Sequence, residues 1–332
     1  MTASVNTSAQ LQHPIGAKGR FTLRLPSGSV AIRGTDTDTA TVRDMTGRPL
    51  SDRFEIVTGQ DSLELSLRPR FGITIAVGSR SIGSGPSPEL EVELPRTADL
   101  TIDTASADVR ATGMTGPKRF RTASGDLSLE AIGGELEIEA VSGDIRIDTD
   151  AAVNLRGRSI SGDMRLRAAR LGKLEMTTTS GDLHIDAEMA GSGPYSIKSI
   201  SGDVTLVARA GLEVEAHTIT GDLSSGVAHR IDTTPGRKLL IVGKPVATLS
   251  FKSVSGDLEV VEPRDQARAE RPAPATPSAP GASAVPAPPA PPVAPVEADP
   301  SDAVRLGILQ ALERGELSVE DASRQLTALE EG

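Results

Sequence analysis

Eight Ser/Thr-Gly/Ala-Asp triplets are the residues of this chain best equipped for chemistry, because each sets a hydroxyl two positions from a carboxylate. They begin at Ser106, Ser124, Ser142, Ser161, Ser180, Ser201, Thr220 and Ser255. A hydroxyl becomes a nucleophile only beside a base, and no base accompanies these. The carboxylates Asp108, Asp126, Asp144, Asp163, Asp182, Asp203, Asp222 and Asp257 would form a row if the triplets were stacked. An oxygen-rich row suits a hard cation such as calcium, but the nine-residue calcium roll needs Gly-Gly-x-Gly-x-Asp in every short turn. The preferred reading is structural. Gly125, Gly143, Gly162, Gly181, Gly202, Gly221 and Gly256 supply the positive φ of a sharp corner, and each Asp caps its own turn. Ala107 replaces Gly in the first triplet, so that corner is expected to be shaped differently. Of the four histidines, His184 and His217 fall inside the repeats, too far apart for a shared metal site. No cofactor is expected.

The triplet starts are 18, 18, 19, 19, 21, 19 and 35 residues apart, and a fixed period of this kind marks stacked supersecondary units. The last interval is nearly double, as if one unit had lost its triplet. Before each triplet the apolar residues alternate, as in Leu136, Ile138, Ala140 or Leu212, Val214, Ala216. After it comes a shorter apolar-x-apolar stretch such as Ile145 and Ile147 or Leu183 and Ile185. Each repeat therefore encodes two half-buried strands and a corner. A coil of about 19 residues encloses no core alone, whereas stacking at ~4.8 Å buries its apolar face and pairs both edges of every inner strand. The expected fold is all-β, a β-solenoid of about 19-residue coils forming a rod of roughly 35–40 Å. A column of small residues two before each triplet (Thr104, Thr122, Ala140, Ser159, Thr178, Ser199, Thr218, Ser253) would superpose at the corner, its hydroxyls bonding along the column or to backbone. The outward column three before the triplet reads Asp103, Arg121, Glu139, Arg158, Thr177, Lys198, His217, Lys252. It tilts basic toward the end of the repeats, as a solvated face does.

The remaining segments frame this rod. Residues 1–18 read as a disordered start, and 19–262 as the solenoid domain. Within the latter, Arg20 to Pro95 alternates without the triplet and is expected to be an irregular β cap over an aggregation-prone end. Residues 263–300 are a Pro/Ala-rich disordered linker: 11 of the 23 prolines lie between Arg264 and Pro300, which excludes sheet and helix and favours a semi-rigid tether. Residues 301–332 carry two short helical patterns, with Ile308, Leu309, Leu312, Leu317, Leu326 and Leu329 facing one another. A small α-hairpin buries too little to stand alone, so these six are candidates for oligomerisation.

Net charge is −10, with 29 Lys/Arg against 34 Asp/Glu through Glu262 and 6 against 11 beyond it. Neither part offers the basic surface of a nucleic-acid binder. Aromatic residues are 2% of the chain, with no Trp, which removes the stacking platforms common in sugar-processing sites, and the evenly spread acids do not pair in a cleft. With no cysteine there is no disulfide or thiolate chemistry. Met1 to Gly16 lacks a basic region followed by an apolar core, and no run of 18 apolar residues occurs. The expected location is cytoplasmic, including the inner face of the membrane.

The run Leu94-Pro-Arg-Thr-Ala-Asp-Leu, followed by Thr104-Ala-Ser-Ala-Asp-Val, Thr122-Ala-Ser-Gly-Asp-Leu and Val141-Ser-Gly-Asp-Ile, resembles the bacterial putative-adhesin domain also called toastrack, over about Gly19 to Glu262. The ending Ile308-Leu-Gln-Ala-Leu-Glu-Arg-Gly-Glu-Leu-Ser-Val-Glu-Asp-Ala is similar to SHOCT modules. The resemblance implies a right-handed solenoid, no enzymatic activity and an association with envelope-stress systems, beside membrane-associated stress proteins. The chain is therefore expected to be a non-enzymatic scaffold with protein partners, itself included through 301–332, and no small-molecule substrate. A calcium-stiffened surface adhesin and a carbohydrate-active solenoid enzyme are the alternatives.

Overall fold

A computed structural model describes residues 9–68, 87–190, 193–234 and 237–263. The chain divides into two units, Met1–Gln266 and Ala267–Gly332. The expected linker and helical hairpin, with Ile308, Leu309, Leu312, Leu317, Leu326 and Leu329, lie outside the described residues.

The first unit is the expected solenoid. Each coil contributes one strand before its triplet and one after it, and like strands of successive coils pair in parallel. Gly134–Ser142 runs between Lys118–Ser124 and the second half of Ile145–Ser159, while the first half of the latter pairs with Leu127–Glu130 and with Met164–Thr178. The two long strands turn from one sheet into the other through register shifts, between Thr149 and Ala152 and between Ala168 and Arg170. Two parallel sheets thus face each other across a thin core, joined on one edge by the triplet corners.

Because the pleat has period two, inward residues superpose into columns. One reads Leu100, Lys118, Leu136, Leu155, Leu174, Tyr195, Leu249, Val214, and its neighbour Ile102, Phe120, Ile138, Gly157, Met176, Ile197, Phe251, Ala216. Volume is exchanged along these columns rather than within a coil. A Cβ on Gly157 would stand 2.2 Å from the Met176 sulfur, and Phe251 lies beside Ala216.

The order of coils departs from the order of the sequence at both ends. Ala247–Ser253 pairs with Tyr195–Ser199 on one side and Leu212–Thr218 on the other, and Leu258–Val261 likewise sits between Val204–Val207 and Leu223–Ser225. The Ser255 coil is therefore inserted between the Ser201 and Thr220 coils. The long 35-residue interval is not a degenerate coil, as expected from its length, but the hairpin His229–Thr234 and Arg237–Val242 laid antiparallel on Leu212–Thr218. Its pairing covers an edge that a further coil would otherwise have to cover.

The segment read as an irregular cap is also more regular than expected. Arg20–Thr35 pairs with Asp99–Thr112 from end to end, setting Ser27-Gly28-Ser29 against Ser106-Ala107-Asp108. It is a coil whose corner lacks the Asp. Ser62–Leu67 and Glu89–Pro95 form the outermost coil beyond it, and Phe54–Thr58, Thr39–Asp44 and Gln10–Pro14 close the edges antiparallel. Gln10–Pro14 lies within the stretch expected to be disordered; its pairing with Thr39–Asp44 orders it. The short helix Leu50–Arg53 buries Arg53 against Asp44 at 3.1 Å.

Candidate functional site

The triplet corners superpose into one continuous edge. Gly143, Gly162, Gly181 and Gly202 have φ of 110, 106, 106 and 114°, a region where L side chains are strained. Stacking adds a second requirement, since a Cβ on Gly162 would meet the Gly143 carbonyl oxygen at 2.3 Å. Gly125 and Gly256 share the positive φ, at 153 and 143°; Gly221, in the last coil, does not, yet a Cβ there would meet the Gly256 carbonyl oxygen at 2.0 Å. Ala107 is accommodated because its φ is not positive and its strand runs straight through the corner.

The aspartates do not cap their own turns as expected. All but Asp222, whose Oδ1 accepts from Lys238 Nζ of the covering hairpin, bond the next coil instead: the Asp126 N–H donates to Asp108 Oδ1, Asp144 to Asp126, Asp163 to Asp144, Asp182 to Asp163 and Asp203 to Asp182, at 3.0–3.1 Å. The ladder then follows space, not sequence, through Asp257 to Asp203 at 2.9 Å and Asp222 to Asp257 at 2.7 Å. Each carbonyl is engaged in the other direction, as where Ile145 N–H donates to Asp163 O and Met164 N–H to Asp182 O, both at 2.9 Å. The first residue of the triplet adds a parallel ladder, Ser161 Oγ donating to Val141 O and Ser180 Oγ to Ile160 O.

Two positions before the triplet, the hydroxyls of Ser159, Thr178 and Ser199 turn back to the carbonyls of Ser161, Ser180 and Ser201 at 3.0–3.1 Å. Of the two partners considered for them, backbone at the corner is the one used. Thr104, Thr122 and Ser253 hydroxyls are buried with no hydrogen-bond partner. Among the described residues no group of three or more His, Asp or Glu side chains is arranged to hold a metal. His184 and His217 lie on opposite sheets.

The outward column three before the triplet resolves into two regimes. Arg24, Asp103, Arg121, Glu139 and Arg158 alternate in sign from coil to coil, with Arg24–Asp103 at 3.7 Å and Arg121–Glu139 at 2.9 Å. A second alternating column, Arg119, Glu137, Arg156, Glu175, is paired at 2.6 and 3.0 Å. Beyond Arg158 the first column continues through Thr177, Lys198, Lys252 and His217 with no acid in register.

One row of residues was not singled out from the sequence. Immediately before the triplets stand Val141, Ile160, Ile200, Val254 and Ile219, exposed at 48, 52, 53, 46 and 77%. They account for five of the nine exposed large apolar side chains among the described residues, so the exposure is organised rather than scattered. Their carbonyls join neighbouring coils: Ser161 N–H donates to Val141 O, Ser180 to Ile160, Ser255 to Ile200 and Thr220 to Val254. The legible signal was a β-branched residue in the phase opposite to the buried one, just ahead of Ser or Thr.

Lys118 occupies a leucine position in its column, with Leu100 on one side and Leu136 on the other. The side chain is buried and donates to the Gly116 and Gly133 carbonyls. Burial lowers its pKa from 10.5 to about 8, against the opposing pull of Glu135. The amine ends on backbone oxygens of the turns, at the wall of a groove lined also by Arg119, Glu137, Arg156 and Glu175.

The Toastrack DUF4097 family model matches residues 20–261. The chain belongs to this family. Among solved structures it is similar to a putative adhesin from Bacteroides fragilis, at 11% identity over 77% of this chain and 97% of that one, with a TM-score of 0.42. A putative cell adhesion protein from Clostridium sporogenes gives 12% identity over 77% and 99%, with a TM-score of 0.23. A putative lipid binding protein from Parabacteroides distasonis gives 9% over 76% and 97%, with a TM-score of 0.31. A comparison with curated proteins gives no match. As a toastrack domain the chain contributes in-register corners and long rows of like residues. Among the described residues no helix is long and apolar enough to cross a membrane.

Proposed function

We propose that this toastrack chain is a non-enzymatic interaction scaffold that serves the envelope-stress response. The observation that supports it most is the corner edge itself. The hydroxyls and carboxylates with chemical potential are engaged one coil to the next by hydrogen bonds, and an apolar row stands exposed beside them. An enzyme gathers its reactive side chains in one cleft; the hydroxyls and carboxylates of the triplets are instead distributed by the repeat. The rod presents a flat repetitive surface at the end of a Pro/Ala-rich tether. The SHOCT-like hairpin gathers copies through Leu312 and Leu326 and their neighbours, which raises effective concentration at an assembly or at the inner membrane face. Its partners are proteins, membrane-associated stress proteins among them, and the location is cytoplasmic.

Light scattering on the full chain tests the assembly. A mass above the monomer that falls to monomer in Leu312→Glu/Leu326→Glu supports it, and a monomeric mass in both refutes it. Cell fractionation before and after envelope stress tests the location, with recruitment to the membrane fraction expected; a chain found outside the cytoplasm overturns that assignment.

A further inference from the structure

Across the corner edge three coils repeat one order of chemistry: cation, branched apolar residue, acid. They read Arg158, Ile160, Asp163, then Lys198, Ile200, Asp203, then Lys252, Val254, Asp257. The Ser201 and Ser255 coils are adjacent, so Lys198 lies directly against Lys252. The ridge is thus flanked by positive charge on one sheet and by the aspartate ladder on the other side of the corner.

We propose that this ridge is the docking surface for a second copy of the chain, set side by side with both rods pointing the same way. The charge order selects that arrangement. A two-fold axis parallel to the rod reverses the order across the seam, so each cation faces the acid of the same coil and the apolar rows meet. An axis perpendicular to the rod keeps the order and opposes cation to cation. An anionic lipid surface would take the lysines but meet the aspartates at the same edge, at an electrostatic cost. From Val141 to Ile219 the ridge spans six coils, with Thr179 in place of an apolar residue in the Ser180 coil, about 24 Å at ~4.8 Å per step. With a width near 15 Å each copy buries only about 350 Å², under half of a standard interface. The pairing is therefore weak and concentration-dependent. It rests on the reading of the rod as an interaction module and is independent of the terminal hairpin.

The chain contains no cysteine, so one introduced cysteine reports cleanly. In the full chain, Ile160→Cys, Ile200→Cys and Ile219→Cys, oxidised with copper phenanthroline, are expected to give disulfide dimers at least about tenfold faster than Val246→Cys, a comparably exposed position at the opposite end of Ala247–Ser253 from the ridge. Lys198→Glu is expected to slow the Ile200→Cys reaction, and Lys198→Glu with Asp203→Lys to restore it. Equal rates at all four positions overturn the proposal. So does crosslinking of a mixture of Ile160→Cys and Ile219→Cys chains without either homodimer, which would mean antiparallel rods. So too does failure to crosslink together with sedimentation on phosphatidylglycerol vesicles, which would make the ridge a lipid contact. Repeating the reaction in Leu312→Glu/Leu326→Glu separates the two assemblies: lost crosslinks with an oligomeric mass sink the ridge alone, and a monomeric wild-type mass with intact crosslinks sinks the hairpin alone.

Discussion

Replacing Asp163 by Asn and by Ala separates the two things its carboxylate does. Its Oδ1 accepts the Asp182 N–H at 3.0 Å, and it stands in a row between Asp144 and Asp182. The bond contributes about 1 kcal/mol. Against it, two like charges ~5 Å apart in water repel by about 0.8 kcal/mol for each neighbour, roughly halved at physiological salt. Both substitutions remove the charge, but Asn keeps an oxygen where Oδ1 stands. Asp163→Asn is therefore expected to exceed Asp163→Ala by about 1 kcal/mol, some 2–4 °C in melting temperature for a domain of this size, at every salt concentration. Wild type should gain on both variants as salt is raised from about 20 mM to about 500 mM, because screening removes only its repulsion. Circular dichroism melts in the presence of chelator read both effects. Equal stability of the two variants would refute the ladder bond. A calcium-dependent rise in wild type that vanishes in Asp163→Asn would show that the row carries a cation instead.

Gly162→Ala faces positive φ and a Cβ 2.3 Å from Gly143 O, and is expected to cost at least about 2–3 kcal/mol in denaturant unfolding; Ala107→Gly, where φ is not positive, should cost less than about 1 kcal/mol. Lys118 holds its proton less tightly folded than unfolded, so wild-type stability should rise between pH about 8, its folded pKa, and the unfolded value of about 10.5, by up to about 3 kcal/mol. Below pH 8 this group gives no slope, and melts of Lys118→Met should lack the rise altogether; an identical slope in the variant would contradict the burial of the charge. Replacing the hairpin His229–Val242 with a short Gly/Ser turn exposes the edge of Leu212–Thr218 and should produce concentration-dependent aggregation in light scattering.

The period-two pattern ahead of each triplet carried the fold, because Leu136, Leu155, Leu174 and Leu249 could share one column only if the coils stack in register. Position along the stack was not legible. The Ser201, Thr220 and Ser255 coils carry the same local pattern, so nothing local says which two are neighbours; strand pairing over 54 residues decides it. The aspartate partner was hidden for a related reason. A turn and the coil beyond it offer N–H groups at similar reach, and only the stacked backbone sets the next coil's N–H on Oδ1. The coil at Ser27-Gly28-Ser29 escaped because it lacks the Asp by which the others are found. The apolar ridge escaped because alternation draws attention to the buried phase, and Ile160 or Ile200 sits in the other one.

The same out-of-order threading bears on how the rod keeps its ends. In an ordinary solenoid the last coil is a chain terminus and frays freely, since each repeat is held only by its neighbour. Here both outermost coils are internal loops. Ser62–Leu67 and Glu89–Pro95 lie between Arg20–Thr35 and Asp99–Thr112 in sequence, and Leu212–Ser225 lies between Val204–Val207 and Ala247–Ser253, while the two flanking segments at each end stay docked one and two coils further in. Detaching the Thr220 coil releases not a free tail but a closed loop of roughly 40 residues, whose fixed ends withhold about 3 kcal/mol of chain entropy. The antiparallel cover strands then have to protect an edge that seldom opens, which is a lighter task than holding down a terminus. A protein whose working surface is the line of its corners needs that line straight to the last coil, and closing the ends as loops keeps Ile219 in register with Val254.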